Sequence, residues 1–361
     1  MTTTHSRPKP YPIVKKLLPA LLLTLAFLFI LREGSTYLYK SKEEVRVYNT
    51  GLYFLTKTDL SSKHQSDSFL LPYLLYQLRA DLTPAEFAKL CNTILIVGIL
   101  LLVFYFAFEF NLWAGMFIGL FVLLSPLVLI QKTWIGFPDH LTFFFSATTL
   151  ILLDRISEKQ NWRYYIALGI VVLLAAWNHF YQFSIIVGLL TLIKTSTNKK
   201  IEWKLISFIF GALLLARVLS LLLFYMKGIQ FEDSRLSTVR DESFSKWIAI
   251  NTSIPLFALY SFFNGNLIFL VERLVRKKFL ILIPLGLSLI ITFFTYDTTR
   301  VFVHLFYPAW IFLWLQSFRS EPEVFDRRKK IYFTLLALSA LILLLVPRFF
   351  VEAGGINYLL P

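Results

Sequence analysis

The chain has 361 residues, of which 57% are hydrophobic and only 16% are charged, and its mean hydropathy is +0.65. A soluble domain carries about a quarter charged residues, so this composition excludes an ordinary soluble protein and indicates a chain whose main solvent is the lipid bilayer. The net charge of +14 would favour nucleic-acid binding in a soluble protein. Basic loops explain it in a membrane protein, and we expect no nucleic-acid partner. The single Cys91 excludes an internal disulfide and a cysteine-based metal site.

Apolar runs of about 15 to 25 residues, without the alternation of β-strands, predict an all-α polytopic membrane protein with about eleven transmembrane helices. A basic N-terminus precedes the first run and no small-residue cleavage site follows it, so we interpret it as an uncleaved span. In chain order the predicted spans are 14–31, 86–108, 112–130, 141–153, 164–178, 180–194, 205–226, 247–270, 279–294, 301–316 and 331–347.

The long loop between the first two spans, residues 32–85, contains a second apolar feature. Residues 68–78 (SFLLPYLLYQL) are apolar on one face but too short to cross a bilayer. We therefore predict a helix lying in the membrane interface. The following Thr83-Pro84-Ala85-Glu86 is typical of a helix start, with proline in the first turn and an acid at the positive helix end.

Lysine and arginine cluster in alternate loops, and these clusters predict the orientation. Cytoplasmic loops carry an excess of basic residues, so we expect a cytoplasmic N-terminus, an extracytoplasmic C-terminus and, as location, the bacterial inner membrane. The clusters are Arg7/Lys9/Lys15/Lys16, Arg155/Lys159/Arg163, Lys194/Lys199/Lys200/Lys204, Arg273/Arg276/Lys277/Lys278 and Arg319/Arg327/Arg328/Lys329/Lys330. The short loops on the other side carry isolated acids and histidines, which favours a site facing away from the cytoplasm.

Asp139 and His140 stand at the start of the fourth predicted span. An aspartate there can simply cap the helix by accepting first-turn N–H groups. An ionisable neighbour at the same membrane depth favours a functional site instead.

Asp297, Arg300 and His304 follow the spacing i, i+3 and i+7, which places them on one helix face. Polar residues inside spans usually face the bundle interior or a cavity, and an arginine there can bind a phosphate through two parallel hydrogen bonds. The alternative is local pairing of Arg300 with Asp297.

Two further polar residues have both structural and functional interpretations. His179, beside Asn178, separates the fifth and sixth predicted spans. Arg217 lies near the middle of the seventh, where a charge costs about 2.5–3.5 kcal/mol on the insertion scale and needs a partner.

The stretch from Pro72 to Leu153 resembles the GT-C membrane glycosyltransferases, in the branch of the aminoarabinose transferases and protein O-mannosyltransferases. The likeness lies in the order of features: a proline-led interfacial helix, a long span, a tight turn, a span ending in Ser125-Pro126, and the sequence Asp139-His140-Leu141-Thr142-Phe143-Phe144 after the next loop. It divides a single membrane domain, 1–361, into a GT-C-like module, 14–155, and the remaining helices, 156–361.

The resemblance implies that Glu33 and Asp139 are the catalytic acids, with Asp67 or Glu44 as alternatives to Glu33. It implies an inverting hexosyl or pentosyl transferase of the cell envelope that takes a sugar from a polyprenyl-phosphate donor to a lipid, glycan or protein acceptor. Arg300, with His304 or Arg217, would stabilise the leaving phosphate. No cofactor is required, although paired acids leave room for a divalent cation. The alternatives are a flippase or transporter, a polysaccharide polymerase or ligase, and a non-catalytic scaffold.

Overall fold

The computed structural model describes residues 50–57, 68–159, 161–229 and 242–358. The first predicted span, 14–31, lies outside these ranges, as do two of the predicted site residues, Glu33 and Asp67.

Helices account for most of the described chain, which agrees with the predicted all-α membrane class. The α-helices are α1 Thr50–Leu55, α2 Leu70–Gln77, α3 Pro84–Glu109, α4 Leu112–Leu123, α5 Pro126–Thr133, α6 Asp139–Lys159, α7 Trp162–Asn198, α8 Trp203–Met226, α9 Phe244–Thr252, α10 Pro255–Phe263, α11 Leu267–Val275, α12 Leu282–Phe293, α13 Thr298–Ser320 and α14 Pro322–Leu345. Short 3-10 turns, Asn264–Asn266 and Phe279–Ile281, precede α11 and α12.

The helix start predicted at Thr83 is confirmed. Thr83 Oγ1 accepts a hydrogen bond from the Glu86 N–H at 3.3 Å, and Glu86 Oε2 accepts one from the Thr83 N–H at 2.8 Å. This reciprocal capping box satisfies two N–H groups that have no partner within the helix, so the sequence alone placed the start of α3 correctly.

The predicted count of eleven spans is not confirmed. Within the described ranges, five helices are long and apolar enough to cross a membrane, or six if the bent pair α4 and α5 forms one span. The 55° bend between them lies just before Pro126, where Ser125 has an extended backbone, because proline disfavours a helical conformation in the residue before it.

Helix α7 covers residues 162–198, where two spans were predicted. His179 interrupts it with the non-helical backbone angles φ −161° and ψ 86°. Asn178 donates a hydrogen bond to the Pro138 carbonyl just before α6, at 2.8 Å. Lys194 donates one to the Leu153 carbonyl near the end of α6, at 3.3 Å. The second half of α7 therefore runs back along α6, so the chain reverses direction near His179 as the two-span interpretation requires.

A β-hairpin at the C-terminal end was not predicted. Strands β1 Phe349–Glu352 and β2 Gly355–Tyr358 pair antiparallel. The Val351 N–H donates to Thr299 Oγ1 at 2.8 Å, and the Ala353 N–H donates to the Tyr296 carbonyl at 2.7 Å. These bonds fix the hairpin over the first turn of α13.

Helix α13 is the central element, because 17 of its 23 residues are buried. It runs parallel to α6, since arginine–aspartate pairs join the two helices at both ends. Arg300 Nη1 lies 3.2 Å from Asp139 Oδ2 where both helices begin, and Arg319 Nε lies 3.1 Å from both carboxylate oxygens of Asp154 where both finish. We call these the site end and the basic end of the bundle.

Four of the predicted basic clusters contribute to a network of contacts at the basic end. Arg155 and Arg319 both pair with Glu109, and Lys278 and Arg276 both pair with Glu321. Lys194 reaches Leu153 in the same region. These basic clusters, which occupy alternate loops of the sequence, therefore lie together at one end of the bundle.

Arg319→Gln should destabilise the protein, because it leaves the carboxylate of Asp154, only 3% exposed, without its cation. Removing one partner of a buried pair costs about 3 kcal/mol, measurable by denaturant titration in detergent. Arg327→Gln is the matched control: this side chain is 73% exposed and should change stability by less than about 0.5 kcal/mol. Equal effects of the two substitutions would contradict a structural role for the Arg319–Asp154 pair.

Candidate functional site

Three charged residues predicted from two separate loops meet at the site end. The Arg300 guanidinium pairs with Asp139 through Nη1 and with Asp297 through Nη2. The Asp139 side chain is 2% exposed, that of Arg300 is 14% and that of Asp297 is 28%. Arg300 therefore bridges a buried acid of α6 and a more exposed acid preceding α13, rather than pairing only with its neighbour in sequence.

Aromatic rings hold the guanidinium in place. The Arg300 Cζ lies 4.1 Å from the centre of the Phe137 ring and 5.1 Å from that of Trp134. Both rings come from the turn between α5 and α6, and such cation–π contacts are stronger when the cation is shielded from water. The turn therefore fixes the position of a side chain that belongs to α13.

His304 lies one helical turn after Arg300. The hydrogen bonds of its ring determine which of the two ring nitrogens carries the proton. Nδ1 lies 2.7 Å from the Arg300 carbonyl, which can only accept, so Nδ1 carries the proton and donates it. Nε2 of the neutral ring then accepts from the Gln131 amide at 3.2 Å. The same Nε2 lies 4.0 Å from Asp139 Oδ1, close enough for a charge interaction if the ring gains a second proton.

The other two predicted histidines lie beside the same carboxylate. His140 and His179 both interact electrostatically with Asp139, and both side chains are buried. The His140 ring approaches the backbone of Gln131 and Phe137, but neither of its nitrogens reaches hydrogen-bond geometry with any described residue.

Glu352, at the end of strand β1, is a site residue that the sequence interpretation missed. Burial, together with the nearby negative charge of Asp297, raises the pKa of its carboxyl group above the ordinary value of 4.5, and Arg300 opposes this shift. The hydrogen bonds of Val351 and Ala353 to α13 and to the residue before Asp297 bring it there. No short-range pattern marks Glu352, because its place depends on the hairpin folding back.

Several buried polar atoms around Asp139 have no hydrogen-bond partner among the described residues. They are Asp139 Oδ1, Arg300 Nε, Gln131 Oε1, Asn178 Oδ1 and both ring nitrogens of His140. Leaving one such atom unsatisfied costs about 1–3 kcal/mol, and native proteins rarely tolerate this without a reason. Their concentration at one place indicates a surface suited to a polar ligand or to water.

The structure therefore brings together Asp139, His140, His179, Asp297, Arg300 and His304. Arg217 contacts a neighbouring part of the fold: its guanidinium lies 5.0 Å from the Phe180 ring centre and 3.5 Å from the Tyr181 hydroxyl, just after the break in α7. Glu33 and Asp67 lie outside the described residues. Within the described ranges, no three His, Cys, Asp or Glu side chains are arranged to hold a metal ion.

Comparison with known proteins adds no relative: no family model, no curated protein and no solved structure matches this chain.

Glu352→Gln should change the pH dependence of stability. A raised pKa means that folding favours the protonated form, so wild type and variant should have similar melting temperatures below about pH 4.5. Above that value the carboxyl group ionises in the unfolded chain before it ionises beside Asp297 in the folded protein, so the wild type loses stability until the pH exceeds the raised pKa. The variant should then be the more stable protein. Melting temperatures from pH 4 to 8 test this, with exposed Glu323→Gln as control. A difference that does not grow with pH would contradict the placement of Glu352.

Proposed function

We propose that the protein is an inverting glycosyltransferase that transfers a sugar from a polyprenyl-phosphate donor to an acceptor on the extracytoplasmic face. The observation that carries the proposal is the buried Asp139 carboxylate, which has one oxygen held by Arg300 and the other without a hydrogen-bond partner among the described residues. The sequence resemblance described above suggests the reaction type, and the charges around Asp139 suit its chemistry.

In this reaction a base must remove the acceptor's hydroxyl proton as the oxygen attacks the anomeric carbon. Asp139 Oδ1 is the proposed base, because it has an unused lone pair in a buried site. Arg300 orients the carboxylate through the other oxygen. His304, whose Nε2 lies 4.0 Å from Oδ1, is placed to take part in moving the proton onward. Glu33, implied by the resemblance, stays a proposal as a second acid.

The departing lipid phosphate needs positive charge beside it. Arg300 supplies a planar pair of donors, and α6 and α13 both begin at this end, so the positive ends of their dipoles are near. Of the two acids on Arg300, Asp297 is the more exposed. We therefore expect a donor phosphate to replace Asp297 on Nη2 while Asp139 stays on Nη1.

Asp139→Asn should lower the transfer rate by at least about 100-fold, the usual contribution of a general base. The assay reconstitutes purified protein with a panel of polyprenyl-phosphate sugars and measures polyprenyl-phosphate release. Asp326→Asn, an exposed aspartate at the basic end, is the matched control and should retain full activity. Unchanged turnover in a folded Asp139→Asn protein would reduce Asp139 to a helix cap.

Arg300→Lys should weaken donor binding about tenfold or more, because a lysine point charge cannot reproduce the two-donor fork. Since Arg300 bridges Asp139 and Asp297, we also expect a lower melting temperature. Asp297→Asn separates the two effects: it leaves the Arg300–Asp139 pair intact and removes the acid that a phosphate would replace. Donor affinity should then be equal or higher. A marked loss of affinity in Asp297→Asn would contradict the replacement step.

A carrier for lipid-linked sugars is the second candidate, because transporters often bind substrate between broken helices. Here the bend between α4 and α5 and the break at His179 both lie in elements that form the Asp139 cluster. Passage of a labelled polyprenyl-phosphate sugar across reconstituted vesicles, with no release of polyprenyl phosphate, would favour the carrier over the transferase.

A further inference from the structure

An open cleft lies at the basic end, between the residues that follow α11, the last turns of α13 and the start of α14. The cleft is shallow and open to its surroundings. Arg276, Lys278, Ser317, Glu321 and Tyr332 supply its polar walls. The cleft is separate from the Asp139 site, because the length of α13 lies between Arg300 and Ser317.

A buried arginine lies behind this wall. Arg273 is 4% exposed, its Cζ stacks 3.6 Å from the centre of the Trp314 ring, and its Nη1 donates to Ser317 Oγ at 2.7 Å. Trp314 and Ser317 both line the cleft. Among the described residues, Arg273 has no ion-paired carboxylate, and its Nε and Nη2 have no hydrogen-bond partner. Glu272 and Glu321 attract its charge from beyond ion-pair distance, but desolvation by burial outweighs this attraction. An external anion nearby would therefore stabilise the charge further.

The charges around the cleft also leave a positive excess. Glu321 pairs with Lys278 and lies 3.7 Å from Arg276, and Glu272 lies 3.5 Å from Arg276 and 3.9 Å from Arg328. With Arg273, four cations face two carboxylates. Glu321 and the Tyr332 hydroxyl hold Arg276 and Lys278 at the cleft, and arginine and lysine side chains are common ligands of phosphate.

Apolar side chains beside the cleft indicate where the anion would come from. Val275, Phe279 and Ile331 are each at least half exposed and adjoin Arg276, Lys278 and Tyr332 in sequence. In a membrane protein such exposed apolar residues are suited to acyl chains, whereas a free phosphate would need only the polar groups. Basic pockets between transmembrane helices at the cytoplasmic side favour anionic lipid headgroups.

We propose that this cleft binds the phosphate headgroup of an anionic phospholipid. Arg276 and Lys278 contact the phosphate, Arg273 adds positive charge from behind, and the acyl chains lie along Val275, Phe279 and Ile331. The site is independent of the proposed transferase reaction, since it lies at the other end of α13.

The experiment measures the melting temperature of the full chain in nanodiscs of phosphatidylcholine alone or mixed with phosphatidylglycerol, and counts retained phosphatidylglycerol by native mass spectrometry. Phosphatidylglycerol should stabilise the wild type. Lys278→Gln and Arg276→Gln should each weaken its retention about fivefold, the effect expected for one basic residue near an anionic membrane surface. Lys278 is 36% exposed, so this variant should fold.

Arg327→Gln is the matched control, because this exposed arginine pairs only with Glu323 among the described residues and does not line the cleft. It should retain phosphatidylglycerol as the wild type does. An equal loss in Arg327→Gln would mean non-specific attraction and overturn the proposal. Stabilisation by inorganic phosphate in phosphatidylcholine nanodiscs, equal to that by phosphatidylglycerol, would overturn the assignment to a lipid.

Discussion

The arrangement of this bundle depends on two arginine–aspartate pairs that join α6 and α13, one at each end. Charges inside an apolar bundle cannot be left alone, because desolvating each ion costs several kcal/mol unless a partner compensates. Arg300 with Asp139 and Arg319 with Asp154 therefore fix the two helices parallel and in one register. Since α13 is the most buried of the membrane-capable helices among the described residues, the elements packed around it take their positions from this pairing.

The two pairs have the same chemistry but different surroundings. Both oxygens of Asp154 are engaged, by Arg319 and by the Tyr105 hydroxyl at 2.5 Å, and this is what a structural pair requires. Asp139 uses only one oxygen, while the other has no hydrogen-bond partner within the described part of the chain. This contrast, rather than the presence of charge, is why we propose a chemical role for Asp139 and a structural role for Asp154.

In the proposed reaction, Arg300 would serve stability and function together. Arg300 pairs with the buried Asp139 through Nη1 and with the more exposed Asp297 through Nη2. In the proposed reaction the Nη1 contact stays, and the phosphate replaces Asp297 on Nη2. The rings of Phe137 and Trp134 limit its movement during such an exchange. A fixed donor pair of this kind needs little reorganisation when a phosphate arrives, which is the basis of electrostatic preorganisation.

Much of this architecture could be predicted from local patterns. Hydrophobic runs predicted the all-α class but not the number of spans. The Thr83–Glu86 box identified a helix start, and the spacing of Asp297, Arg300 and His304 placed three polar groups on one helix face. Loop alternation predicted that Asp139 and His179 lie at the same end. Such features repeat over a few residues, so the sequence alone determined them. Only the tertiary structure decided that Arg300 bridges two acids, that Gln131 and Glu352 join the site, and that Arg217 packs elsewhere. Those contacts join residues far apart in the chain, and their choice depends on how the helices and the hairpin pack, which no local period encodes.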